Sequence, residues 1–263
     1  MANLLQSAAL ACGLLAMSAC GADAPAPPQD DQATAPPAAA PPLTATRPWF
    51  ICDGLDTASV FVLARSEDNS RVLVTEYAKR DGRPAWRGDY QLGPAEGAAG
   101  SIYTPLTRGG EAAGQIRQIN PGMLDNPGSA YTAPYTSMQL GDREIACRWM
   151  ARTRIIAFNE RRSIVVHEDQ DGDLIYSAYD FSAAPQQSPI ELSDNSRTTA
   201  FTVEVRDGGE TTGPGGQEFR FESGDILYLV TVPVAAPAML EVWRGDAQIQ
   251  SDMMIAQQVG QAE

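Results

Sequence analysis

The stretch Gly141–Phe181, GDREIACRWMARTRIIAFNERRSIVVHEDQDGDLIYSAYDF, decides the fold class. It contains three apolar runs: Ile155, Ile156 and Phe158; Ile164, Val165 and Val166; and Leu174 to Phe181. Each is short, β-branched or aromatic, and bounded by polar or turn residues, which is the pattern of strands rather than helices. Glu168-Asp169-Gln170-Asp171-Gly172-Asp173 joins the last two. Asp-Gly between such runs predicts a tight hairpin, because Gly accepts positive φ without a steric penalty. The spacing of Asp169, Asp171 and Asp173 is similar to that of a calcium loop, but an EF-hand needs Gly after the third acidic position and a distal Glu. Here Gly172 precedes Asp173 and strands flank the loop, so a solvated turn is expected.

The same stretch holds six arginines, Arg143 to Arg162, in an otherwise acidic chain. Cross-strand pairing with neighbours such as Glu144 and Glu160 accounts for them better than an anion site does. The chain's only histidine, His167, alternates with apolar neighbours and reads as a packed or edge histidine rather than a base.

Outward from this centre the pattern continues. Strands are expected at 49–52, 59–63, 72–77, 89–92, 101–106, 115–120, 135–140 and 143–149. Beyond the central stretch they are expected at 198–205, 217–221, 226–232, 239–243 and 248–255. Gly, Pro, Asn and Asp punctuate them at close intervals. Only Asp252–Gln261 has a helical look. Many short strands with frequent turns predict an all-β chain, an antiparallel barrel or sandwich. Two small β subdomains are expected, at 49–149 and 150–263.

Residues 1–19, MANLLQSAALACGLLAMSA, carry no charge, and Leu10 to Met17 form an apolar core too short to span a bilayer stably. Small residues follow, the layout of a secretory signal peptide. Met17-Ser18-Ala19-Cys20 resembles the lipobox of bacterial lipoproteins, which implies cleavage before Cys20 and acylation of that residue. Several acyl chains anchor a protein stably, where one alone binds only marginally. Residues 20–48 then run through Ala- and Pro-rich segments, Ala24 to Pro28 and Ala35 to Pro42. Such a composition cannot bury enough apolar surface to offset its ordering entropy, so a disordered, extended tether is expected.

Four cysteines are present. Cys12 lies in the signal and Cys20 is the lipidation site, which leaves Cys52 and Cys147. In an exported chain a disulfide between them is expected. It closes a loop long enough to contribute about 4–5 kcal/mol through chain entropy.

The formal net charge is −14. An acidic surface repels nucleic acid and gains nothing from anionic lipid, so nucleic acid is excluded as a partner. The expected partners are the membrane, through the lipid anchor, and either a basic protein or a cell-wall glycan. One histidine rules out multi-His metal sites, and neither a paired-Cys motif, a Walker loop, a Rossmann fingerprint nor a G-x-S-x-G elbow occurs. Gly213-Pro214-Gly215-Gly216 reads as a flexible loop. No catalytic residue, metal or cofactor is expected, although a carboxylate pair can act as acid and base without a linear motif.

Phe50-Ile51-Cys52-Asp53, with Ile145-Ala146-Cys147 closing the region, resembles the frame of the membrane-bound inhibitors of C-type lysozyme. The resemblance implies a small β-barrel closed by a disulfide and an inhibitory loop of the form Ser-Gly-x-x-Tyr. The corresponding stretch is Pro127-Gly128-Ser129-Ala130-Tyr131, where Gly128 and Tyr131 match and Pro127 stands in place of the serine. Gly128, Ser129 and Tyr131 are therefore the candidate binding residues, on a Pro-stiffened loop running from Asn120 to Pro134. The likeness covers residues 49–149. As a whole the chain is similar to uncharacterised exported lipoproteins of Gram-negative bacteria. The expected role is a lipid-anchored binding or inhibitory module of the cell envelope, facing the periplasm or in the outer membrane. A structural envelope lipoprotein and a carbohydrate-active enzyme are the alternatives.

Overall fold

The computed structural model of the protein describes residues 48–182 and 188–261. The expected signal peptide, Cys20 and the expected tether as far as Arg47 lie outside the described residues. The chain is all-β and antiparallel, with no α-helix among the described residues.

The first sheet is built from β1 (Phe50–Asp53), β2 (Ser59–Arg65), β3 (Arg71–Ala78), β4 (Pro84–Leu92), β5 (Glu96–Ala98), β6 (Ser101–Arg108), β7 (Glu111–Ile119), β8 (Tyr135–Leu140) and β9 (Arg143–Ala146). They pair in chain order, with β5 lying only against β6. The two ends of this sheet meet. Gly54 bridges Cys147, the Leu55 amide donates to the Ala146 carbonyl, and the Arg148 amide donates to the Asp53 carbonyl. A sheet closed on itself has no edge to protect, and the interior must then be filled by alternate side chains. Phe50, Cys52, Phe61, Leu63, Val72 and Val74 fill it, together with Ile116, Met138 and Ile145.

The second sheet holds β10 (Thr153–Phe158), β11 (Arg162–Glu168), β12 (Leu174–Asp180), β15 (Val203–Gly213), β16 (Gly216–Ser223), β17 (Ile226–Pro233), β18 (Met239–Arg244), β19 (Ala247–Met253) and β20 (Ala256–Val259). A two-stranded hairpin, β13 (Ile190–Glu191) with β14 (Arg197–Thr198), stands apart from it. Strands β19 and β20 form the opposite edges of the nine-stranded order, yet only Met254 and Ile255 separate them in the chain. One run of chain thus pairs first with β18 and then with β10. Strand β15 does the same, against β12 and then β16. Strands that switch partners in this way make the corners of an orthogonal barrel. Tyr176, Phe219, Phe221, Val230, Leu240 and Ile164 fill its interior.

The two barrels abut through a third cluster. Period-two alternation makes this possible: Ile51, Val60 and Val62 point away from the first interior, and Ile156, Phe158 and Val165 point away from the second. This explains why Val60-Phe61-Val62-Leu63 and Ile164-Val165-Val166 are unbroken apolar runs instead of alternating ones, because both faces of those strands are buried. Each such side chain contributes about 1.5–3 kcal/mol when fully removed from water.

Two expectations are corrected. Asp252–Gln261 is strand, not helix. Its glutamine side chains accept backbone amides distant in the chain: Gln258 from Ile51 of the first barrel at 3.0 Å and Gln257 from Ala238 of the second at 2.7 Å. Tertiary pairing of this kind overrides local propensity. The β11–β12 hairpin is also wider than a two-residue turn. Asp169 and Asp173 still pair, and the Asp169 carboxylate accepts the amides of Asp171 and Asp173, both at 3.0 Å. Gly172 supplies the positive φ, at +90°.

Candidate functional site

The seam between the barrels is organised on a buried charge cluster. Asp53 ends β1, and its carboxylate lies 2.8 Å from the Lys79 ammonium and 2.8 Å from the Arg148 guanidinium. All three are sequestered, at 0%, 4% and 4% exposure respectively. Lys79 also donates to the Gly54 carbonyl. Arg148 donates to the Thr198 and Thr199 hydroxyls and lies 3.4 Å from the centroid of the Tyr179 ring. The cluster therefore ties the closure of the first barrel to β12 and β14 of the second region. Burial would by itself raise the Asp53 carboxyl, but the two cations outweigh it and hold the group down at about 2.

Lys79 is the only lysine in the chain. Its burial makes an expected result available: the folded protein takes no amine-directed acyl label on Lys79, and the unfolded chain takes one, read by mass spectrometry of the peptide spanning it. Labelling of Lys79 under native conditions at the rate of a free lysine would contradict the cluster.

The disulfide is present. Cys52 and Cys147 lie with Cα atoms 4.7 Å apart and are both fully buried. It crosses the seam of the first barrel beside the Gly54–Cys147 bridge, so covalent and hydrogen-bonded closure coincide.

Five of the six arginines of the central stretch are ion-paired: Arg161 lies 4.0 Å from the expected Glu160, the others meet partners distant in the chain, and Arg152 donates instead to the Asp169 carbonyl. Arg143 reaches Glu76 at 3.0 Å rather than Glu144, and Ser59 donates to the same carboxylate, capping one end of the first barrel. Arg154 lies 2.8 Å from both Glu168 and Glu210, which caps one end of the second. Arg162 lies 3.1 Å from Asp180 at its other end, and Arg161 pairs with Asp252. Strand neighbours two apart in sequence share a face, so these long-range partners could be found only once the strands were placed.

Of the candidate binding residues, Gly128 is exposed, Ser129 is buried and Tyr131 is half-buried. The loop folds as two short 3₁₀ turns, Pro121–Met123 and Pro127–Ser129. Its second half is sewn to the second barrel. The Ser129 carbonyl accepts the Arg152 amide, the Tyr131 carbonyl accepts the Gln261 amide, and the Tyr131 hydroxyl donates to Glu168 at 2.9 Å. The Thr132 carbonyl accepts from the Trp149 indole at 3.1 Å. Tyr131 thus completes the Arg154–Glu168 cap. His167 is buried on the outer face of β11, and desolvation pushes its pKa down.

A basin of about 520 Å³ opens where the β3–β4 turn of the first barrel meets the β10–β11 turn of the second. Arg80, Arg161 and Arg162 line it together with Glu160, Asp180 and Phe181. Gly82, at φ +61°, lets the turns approach: a Cβ there would lie 2.6 Å from Ile255 Cδ1 and 2.9 Å from Glu160 Cβ. The Asn159 side chain accepts the amides of Arg161 and Arg162, at 2.8 and 3.0 Å, and so shapes the second turn. Phe181 is 3% exposed and separates the basin from the buried cluster, with the Lys79 ammonium 5.3 Å from its ring centroid. Lys79 points inward and its neighbour Arg80 outward. Arg80 makes no ion pair among the described residues. Sequence reading missed this arrangement because Arg80 lies far from the arginine cluster in the chain. A lone lysine beside an arginine in a β-turn was the one available signal.

No family model, curated protein or solved structure matches the chain.

Proposed function

We propose that the chain is a lipid-anchored cell-envelope protein that acts as a non-catalytic binding module, held off its membrane by the Ala/Pro-rich tether. The observation that carries the binding half of this reading is the contrast between interior and exterior. Both barrel interiors are filled with aromatic and aliphatic side chains, while an open basin lies over the seam. The small cavity nearby, against Phe50, Trp149 and Ile156, measures about 10 Å³ and holds no more than one water. Recognition therefore falls to the outer surface. The carboxylates Asp53, Glu76 and Glu168 are each held by a cation, an arrangement suited to fixing structure rather than moving protons.

A pull-down from envelope extract, with the full chain as bait, tests the binding half. One envelope component recovered in stoichiometric amount supports it, and recovery no different from an unrelated lipoprotein sinks it. The anchor is tested separately. Cys20→Ser abolishes incorporation of labelled fatty acid and moves the protein from the membrane to the soluble periplasmic fraction. Unchanged fractionation of that variant refutes the lipobox reading.

A further inference from the structure

We infer that the basin between the barrels binds the carboxylate of an acidic saccharide, with Arg80 as its principal contact. The inference rests on the binding-module reading above and specifies its ligand.

The argument starts from charge. The chain as a whole carries −14, yet the basin lining sets Arg80, Arg161 and Arg162 against only Glu160 and Asp180, a formal excess of one positive charge. Two of the three arginines are already committed: Arg161 to Asp252, and Arg162 to Asp180 at 3.1 Å. Arg80 is exposed and has no ion pair among the described residues, so its guanidinium is available for a planar, bidentate acceptor. An acidic protein that keeps one uncommitted arginine in its open basin selects one anionic group and repels polyanions through the rest of its surface.

The remainder of the basin is not what a bare ion requires. Glu160 and Asp180 offer carboxylate oxygens, which accept from hydroxyl or amide donors on a ligand. Phe181 forms an apolar floor. A sugar whose hydroxyls meet these carboxylates, and whose own carboxylate meets Arg80, satisfies the polar groups of the basin. The volume of about 520 Å³ accommodates one or two sugar rings.

The test titrates the full chain with a disaccharide carrying one uronic-acid carboxylate, as the free acid or as its primary amide, and follows binding by calorimetry. The acid is expected to bind, and amidation to weaken binding roughly tenfold. Arg80→Ala is expected to weaken binding of the acid by about the same factor with an unchanged melting temperature, because the side chain is exposed and makes no ion pair among the described residues. Arg80→Lys restores part of the loss. Equal affinity of wild type and Arg80→Ala overturns the basin as the site while leaving the binding-module reading intact. Binding insensitive to amidation overturns carboxylate recognition. Absence of binding by the wild type overturns the acidic saccharide as ligand, and the pull-down then decides the module reading independently.

Discussion

Asp53→Asn destabilises the protein by about 3–5 kcal/mol, the cost of leaving buried charge without its counter-ion. The reason is the balance of the cluster. One carboxylate faces two cations, so its removal leaves the Lys79 ammonium and the Arg148 guanidinium buried together, each 4% exposed. Lys79→Met has a smaller effect, about 1.5–3 kcal/mol, because Arg148 still balances Asp53 and only charge-assisted hydrogen bonds are lost. Urea unfolding of the two variants reads this order directly. A loss for Asp53→Asn no larger than that for Lys79→Met rules out the charge-balance account.

The same cluster shapes the acid response. The Asp53 carboxyl titrates at about 2 in the folded protein, below its ordinary value near 3.9. A depressed carboxylate contributes stability above its unfolded pKa and loses it as pH falls through the folded one. The contribution is about 2–3 kcal/mol, fully present above about pH 4 and gone by about pH 2. Asp53→Asn therefore flattens the stability curve of the protein between those pH values, as well as lowering it.

Removing the disulfide is the second large change. Cys52→Ala with Cys147→Ala opens a loop of 95 residues and lowers stability by about 4–5 kcal/mol, chiefly by freeing the unfolded chain. The loss appears as a lower urea midpoint. Both cysteines are fully buried, so mild reductant leaves the folded protein unchanged and acts only when the chain opens. A double variant within about 1 kcal/mol of wild type would mean that strand pairing alone closes the first barrel.

Much of the architecture was legible in the chain. The strands around Ile155, Ile164 and Leu174 followed from short β-branched runs between turn residues, and the cysteine pair from counting cysteines on the expectation of export. A strand was also expected at 59–63, but that both of its faces are buried, one in the first interior and one against the second barrel, lay beyond local reading. The terminal segment, expected as a helix, is strand because it pairs with β10 and its glutamines take backbone amides from β1 and from Ala238, partners that local propensity does not report.

By itself the sequence determined the all-β class, the bonded cysteines and the turn chemistry. These depend on period-two patterning, on the positive φ of glycines such as Gly172, and on the parity of cysteines, all of which act over a few residues or over composition. Only the tertiary structure decided how the sheets close, that Asp53 meets Lys79 and Arg148, that Tyr131 turns inward onto Glu168, and that Arg80 shares a basin with Arg161. Those contacts join residues tens of positions apart, and they arise from register, sheet curvature and the packing of one barrel on another, which no short window of sequence encodes.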